Sequence, residues 1–365
     1  MKSDIERAIL VGIKLKNHDV NFDSSMEELR GLTEAAGGEV IVTLVQSRER
    51  PESSTYIGKG KLIELTHLVE ELEPDLIVFD KELTPVQIRN LDEALDVKVV
   101  DRTMLILDIF SQRARSKEGK LQVELARLEY QLPRLTGIGK ELSRLGGGIG
   151  TRGAGEQKLE LDRRYIRRRI QDIKHQMEKV RKTRNLHRMQ RKRAELKVIS
   201  LVGYTNAGKS SLFNAICKIM HSSGHDQVQA DNRLFQTLDT TTRKIKTFSG
   251  TEFLITDTVG FIQNLPHHLV AAFRSTLEEA VEADILLHVV DVSDPDYTEK
   301  MQVVQDVLDE LGAEKEKVIT VLNKADLILS TEGETDPGTF VSARTGLGLV
   351  DLIEKLEKYI SSQGH

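Results

Sequence analysis

The residues Gly203-Tyr204-Thr205-Asn206-Ala207-Gly208-Lys209-Ser210 satisfy the spacing G-x-x-x-x-G-K-[ST]. They follow the apolar run LKVISLV and open the helix-like run SSLFNAICKI, the strand–loop–helix setting this motif needs. Its glycines let backbone N–H groups close around phosphate oxygens, and the dipole of the following helix favours the same charge. Lys209 is placed to reach the β- and γ-phosphates of a nucleotide, and Ser210 to ligate Mg²⁺, with Ser211 beside them in the first helical turn.

A phosphate loop alone does not choose the base. Asn323-Lys324-Ala325-Asp326, directly after the strand-like VITVL, does. The Asp326 carboxylate can accept two parallel hydrogen bonds, which matches the N1–H and 2-amino donors of guanine and nothing on adenine. Further on, Ser342-Ala343-Arg344 follows the last strand, with the Ala343 N–H expected on guanine O6. Between these motifs, Asp257 closes the strand EFLIT and is expected to hold Mg²⁺ through water, and the Gly260 N–H to sense the γ-phosphate. Thr237 in FQTLD offers a second hydroxyl to Mg²⁺ in the triphosphate state, so loss of the Thr237 and Gly260 contacts on hydrolysis would release both segments. The expected catalytic set is Lys209, Thr237, Gly260 and Asn206. Phe261 stands where many small GTPases carry a water-orienting Gln, so isolated turnover should be slow unless another group places the water. Two readings stand for Asn206: a loop-closing side chain, or a ligand to a K⁺ ion that acts as an arginine finger does in several GTPases.

These residues need an α/β scaffold, and the C-terminal half alternates strand-like and helix-like runs in the required order. KIKTFSG, EFLITD, ADILLHVVDVS and VITVLN read as strands; HHLVAAFRSTLEEAVE, Tyr297 to Leu311 and GLVDLIEKLEKYI read as helices. The first hundred residues do the same on a smaller scale. ERAILVGIKL, EVIVTLVQS, DLIVFD and VKVVD are strand-like, and TPVQIRNLDEAL is one of three intervening helices, started by Thr84 and Pro85. From Thr103 the period changes: Met104, Leu107, Ala114, Leu121, Leu125, Leu128 and Leu132 follow a three–four stepping that predicts one long helix up to Pro133. A segment with eight glycines between Gly137 and Gly155 follows, and then Leu159, Ile166, Ile170, Ile173, Met177 and Val180 resume the stepping. The expected fold is α/β. It comprises a small parallel N-terminal domain (1–102), an antiparallel helical hairpin with a glycine-rich tip (103–195, tip 137–155), and a Ras-like P-loop GTPase domain (196–365).

The net charge of −5 conceals a dipole. Residues 158–193 carry 15 Lys/Arg against four acids, or +11, leaving −16 elsewhere. Too few acids lie along this stretch for i,i+4 pairs to neutralise it, which points to a polyanion, in particular a folded RNA met through its phosphates. Aromatic residues make up 4% of the chain, so base stacking should not dominate. Candidate RNA contacts are Arg163, Arg164, Arg167, Arg168 and Arg169, with Arg144 and Arg152 in the glycine-rich tip. No run approaches a membrane span, the N-terminus does not read as a signal peptide, and the single Cys217 excludes an internal disulfide; a cytoplasmic monomer is expected.

Together these motifs resemble the HflX family of ribosome-associated GTPases over essentially the whole chain. The specific pieces are Tyr56-Ile57-Gly58-Lys59-Gly60-Lys61, Asp101-Arg102-Thr103 with LILDIFSQRA, LQVELARLEYQLPRL, GIGTRGAGEQKLELDRR, and Leu265-Pro266-His267-His268-Leu269. The resemblance implies GTP hydrolysis with Mg²⁺, binding of the 50S subunit and its 23S rRNA, and splitting or rescue of 70S ribosomes. A 50S-assembly factor is the alternative; a protein-effector switch fits the basic hairpin poorly. Thr240 departs from the family pattern, which usually has Pro after TLD.

Overall fold

The structure is a computed structural model that describes residues 5–16, 21–142, 154–193, 196–220, 234–235, 240–262, 281–328 and 338–362. The chain forms two compact units, one built mainly from residues up to 179 and the other mainly from residue 180 onward.

In the first unit, β1 (Glu6–Leu15), β2 (Gly38–Arg48), β3 (Leu76–Phe79) and β4 (Lys98–Asp101) pair in parallel in the order β2-β1-β3-β4. β3 is buried at all four positions, as a parallel strand covered on both faces must be. The crossovers are α1 (Phe22–Ala36), α2 (Lys59–Leu72) and α3 (Pro85–Leu95). Gly37 stops α1 with φ 99°, a left-handed conformation that costs glycine little. Thr84 starts α3 through a capping box with Gln87, with Pro85 in the first turn.

The single long helix expected from Thr103 is two helices, α4 (Arg102–Arg113) and α5 (Lys117–Leu142). α4 buries Leu105, Ile106, Leu107, Ile109 and Phe110, too broad a surface for one seam, so its three–four stepping is incidental to the hairpin. The seam begins at Leu121, where Leu121, Leu125, Leu128 and Leu132 meet Ile166, Ile170, Ile173 and Met177 of α6 (Ala154–Arg193). Arg163 meets Leu135 while Arg169, further along α6, meets the earlier Glu124, so the hairpin is antiparallel. Pro133 does not end α5, which continues past Gly137 and Gly139. There Arg134 donates to the Tyr130 carbonyl at 2.8 Å and lies 3.3 Å over the Tyr130 ring, bracing the turn that contains the proline. Most of the expected glycine-rich tip, Arg144 and Arg152 included, lies outside the described residues.

The second unit holds a six-stranded sheet in the order β10-β9-β8-β5-β7-β6. Its strands are β5 (Lys197–Val202), β6 (Thr241–Lys246), β7 (Glu252–Asp257), β8 (Ile285–Asp291), β9 (Val318–Asn323) and β10 (Thr339–Phe340). All pairs are parallel except β6–β7. The run KIKTFSG is thus only half strand: Thr247 to Gly250 form the hairpin turn, with Gly250 at φ 91°. The described helices are α7 (Lys209–Ile219), α8 (Tyr297–Glu310) and α9 (Leu349–Ser362). α7 and α9 cover one face through Leu212, Phe213, Ile216, Leu352, Ile353 and Leu356, and each such side chain contributes about 1.5–3 kcal/mol on burial. The helix expected at 267–282 falls almost wholly outside the described residues.

Candidate nucleotide-binding site

β5 delivers the loop Gly203–Gly208 to the N-terminus of α7, where the first helical turn leaves amides without i−4 acceptors. Three residues in this loop take positive φ: Gly203 at 151°, Asn206 at 61° and Gly208 at 88°. A Cβ at Gly203 would stand 2.2 Å from the Val289 carbonyl oxygen, and one at Gly208 would stand 2.2 Å from Asn323 Nδ2. The two glycines are therefore required by packing as well as by conformation.

The loop is closed on itself. Lys209 is buried and its Nζ donates to the carbonyls of Gly203 at 3.0 Å and Tyr204 at 2.7 Å. Burial pushes its pKa down to about 8, with the Asp257 charge pulling the other way. Ser210 Oγ donates to Asp257 Oδ2 at 2.6 Å, so the hydroxyl and carboxylate expected at Mg²⁺ already face each other. Asp257 itself is fully buried. A Cβ at Gly260 would lie 2.9 Å from both Lys209 Nζ and Thr205 Cα, so the chain after β7 passes directly against the phosphate loop. Thr205 Oγ1 is buried beside it and has no hydrogen-bond partner among the described residues. A glycine-walled cradle, a hydroxyl–carboxylate pair and a buried ammonium fit a nucleotide polyphosphate with a hard divalent cation.

The base-reading residues assemble at the ends of β9 and β10. Asn323 donates from Nδ2 to the Ala207 carbonyl at 2.9 Å and accepts from the Ala343 amide at 3.1 Å. The Ala343 N–H expected on guanine O6 is thus engaged by Asn323 in this conformation. Ser342 Oγ donates to Asp326 Oδ1 at 2.6 Å, fixing the carboxylate plane. Arg344 and Ser211 are exposed at the rim, as is Asn206. Thr237 lies outside the described residues, as do most of the segment around it and Leu265-Pro266-His267-His268-Leu269 beyond Gly260, apart from Phe235.

Three curated-family models match the chain in sequence: "GTP-binding GTPase N-terminal" at residues 23–111, "GTP-binding GTPase Middle Region" at 113–191 and "50S ribosome-binding GTPase" at 198–324. GTPase HflX of Caldanaerobacter subterraneus subsp. tengcongensis is 52% identical over 355 residues, covering 97% of this chain and 81% of that protein. GTPase HflX of Escherichia coli is 41% identical over 365 residues, covering 98% and 84%. The chain belongs to the HflX family of GTPases. As an HflX-family enzyme it binds and hydrolyses GTP. Its fold is shared by a GTP-binding protein of Sulfolobus solfataricus in complex with GDP, at TM-score 0.51 and 24% identity over 99% of this chain and 100% of that one.

The structure adds residues that the motifs did not mark. Asp291, at the end of β8, accepts from Lys324 Nζ at 2.5 Å while its other oxygen receives the Ser293 amide at 3.1 Å and hydroxyl at 2.6 Å. An acid at a strand end two residues before a serine is the local signal that could have drawn attention to it. Phe261 is buried with Val202, Tyr204 and Leu286, and its backbone pairs with Gly203 and Thr205 at 3.1 and 2.7 Å. The Tyr204 side chain belongs to that cluster and lies under Lys300, so Tyr204 has its backbone, not its ring, to offer a nucleotide.

The RNA candidates on α6 separate into two groups. Arg169 grips Glu124 of α5 with bonds of 2.7 and 3.0 Å, and Arg163 donates to the Leu135 carbonyl at 3.2 Å. Lys174 pairs with Glu129 at 2.7 Å. The facing helix therefore supplies acids that counting along α6 alone overlooks. Arg164, Arg167 and Arg168 remain exposed.

Proposed function

We propose that this protein is a GTP-driven ribosome-splitting or rescue factor that docks on the 50S subunit through rRNA and separates the subunits of stalled or idle 70S ribosomes. One observation carries the reading: a phosphate loop, a Ser210–Asp257 pair and an oriented Asp326 carboxylate share a chain with a helix whose outward arginines, Arg164, Arg167 and Arg168, have too few carboxylates to neutralise them. Sequence similarity to HflX proteins and to the 50S ribosome-binding GTPase family model supports the same partner. Among the described residues no helix is long and apolar enough to cross a membrane. The working form is a cytoplasmic monomer that meets 23S rRNA.

In this reading Gly203, Thr205, Ala207, Gly208, Lys209 and Ser211 surround the phosphates, with Asp326, Lys324, Ser342 and Ala343 on guanine. Ser210, Thr237 and Asp257 hold Mg²⁺. Bound there, Mg²⁺ would supply positive charge against the charge that develops on the phosphates. Lys209 would leave its loop carbonyls for the phosphates, and the Gly260 amide would report the γ-phosphate. With Phe261 buried in apolar packing, the attacking water needs another holder, a group supplied by the ribosome, while K⁺ held through Asn206 would add positive charge as an arginine finger does.

The test is light scattering from 70S ribosomes mixed with the protein and a non-hydrolysable GTP analogue. A prompt fall that GDP does not produce is expected. No fall, with the protein co-sedimenting with 50S subunits, moves the function to 50S assembly.

A further inference from the structure

The outer face of α6 carries a feature that the hairpin does not use. Leu161 is 63% exposed and Tyr165 69% exposed, although both are large and apolar. With Arg164 and Arg168 they stand at i, i+3, i+4 and i+7, the spacing of one helical stripe. The packed positions are Ile166, Ile170, Ile173 and Met177. At about 100° per residue the two stripes lie on roughly opposite sides of the helix. The exposed stripe is thus not hairpin core that has slipped outward.

We infer that Leu161, Arg164, Tyr165 and Arg168 form an RNA-binding ridge on which Tyr165 stacks an unpaired base while the two arginines take the flanking phosphates. The inference rests on the ribosomal reading above and names the part of the partner this helix meets. An exposed tyrosine ring offers a flat apolar surface to any base, and ordering it costs little because it has two side-chain torsions. Arg168 has no ion-pair partner among the described residues, and Arg164 has only Glu160 at 3.2 Å, an exposed i,i+4 pair that a phosphate can displace. Leu161 lies one turn before Tyr165, where it can pack against the edge of the stacked base.

A partner helix is a poorer occupant. Helix-in-groove docking needs apolar anchors over several turns, and the next outer positions of α6 are Asp172, His175 and Lys179. The exposed Arg164, Arg167 and Arg168 on this face favour a phosphate-bearing partner. An unpaired base is preferred to a duplex because a duplex hides the faces of its bases.

The test is affinity for purified 50S subunits in the presence of a non-hydrolysable GTP analogue, measured by co-sedimentation over a range of salt. Tyr165→Ala should weaken binding by about ten-fold or more and leave the salt slope unchanged, while Tyr165→Phe stays within about two-fold of wild type. Arg164→Ala with Arg168→Ala should reduce the salt slope by about 2. Replacing Tyr165 with p-azidophenylalanine and irradiating the complex should cross-link the chain to rRNA. If Tyr165→Ala binds 50S subunits as wild type does, the ridge is wrong and the ribosomal reading survives. Cross-links to ribosomal protein alone also overturn the ridge, by giving it a protein occupant. If wild type itself fails to sediment with 50S subunits, the ribosomal reading falls and the ridge with it.

Discussion

The Asn323 side chain donates to the Ala207 carbonyl at 2.9 Å, tying the base-reading motif to the phosphate loop across 116 residues of sequence. Its other end accepts from the Ala343 amide, so one buried amide joins three nucleotide-facing segments. Asn323→Ala strands the buried Ala207 carbonyl, at a cost of about 1–3 kcal/mol, and removes the acceptor of the half-buried Ala343 amide. Affinity for GDP should fall at least ten-fold, and the melting temperature should fall with it. Asn323→Asp keeps the acceptor and loses the donor, so it should be as poor. Titration calorimetry with GDP checks both variants; unchanged affinity would mean the loops hold their positions independently.

Asp326 is oriented by the Ser342 hydroxyl at 2.6 Å. Asp326→Asn reverses one donor–acceptor match with the base and should move preference from guanine towards xanthine nucleotides. An asparagine oxygen can still accept from Ser342, so the fold should be spared. Competition between GDP and XDP for the variant decides it, and an undiminished guanine preference removes Asp326 from base recognition.

How much of this was legible beforehand depended on sequence distance. The phosphate loop, Asn323-Lys324-Ala325-Asp326 and the alternating strands and helices are local patterns, and the described residues have them where the pattern said, except that KIKTFSG is half turn. The Arg169–Glu124 and Lys174–Glu129 pairs join residues 45 apart, so no count along α6 could separate inward from outward charges. The break between α4 and α5 was hidden for a related reason: α4 is buried on several sides, and a broadly buried helix offers apolar residues at every spacing, the heptad included. Asp291 was missed because its partner Lys324 lies just beyond the next strand, 33 residues away.

The two groups of arginines on α6 should behave differently when reversed. Arg169→Glu places a carboxylate against Glu124 within the hairpin and should lower its thermal stability, with Glu124→Arg in the same chain restoring it. Arg168→Glu faces outward and should leave the melting temperature within about a degree or two, in line with the small effect of exposed charges. Binding to 50S subunits should suffer in the Arg168→Glu variant. Equal melting temperatures for the two single variants would show that the Arg169–Glu124 pair does not hold the hairpin.

Arg102 is almost fully buried in the first unit and donates to the carbonyls of Asp80 at 3.0 Å and Ser25 at 2.7 Å, and to Glu28 at 2.6 Å. It ties β3 and α1 to the start of α4. Arg102→Met withdraws the guanidinium from the largely buried Glu28 carboxylate and should cost about 3–5 kcal/mol. Glu28→Gln added to that variant should recover part of the loss, because the uncompensated charge is gone. Urea unfolding followed through a probe in the first unit measures both. A loss below about 1 kcal/mol would mean that water replaces the guanidinium.

His288 gives the second unit a sensitivity to acid. It is buried on β8 beside a cavity of about 230 Å³ lined by Gln305, Asp309, Lys315 and Thr320, among others. Burial pushes its pKa down to about 4, and the Lys209 charge pushes the same way. Asp309 and Lys315 face the cavity with opposite charges, so neither sign dominates from that side. Unfolded, the imidazole would titrate near 6.5, so between about pH 6.5 and 4 the unfolded chain binds more protons than the folded one. Stability therefore falls as pH drops through that window, by up to about 3 kcal/mol from this group. His288→Gln cannot titrate and should flatten the decline. Urea midpoints near pH 7, 6 and 5 for both proteins test this, and parallel declines would place the acid sensitivity in other groups.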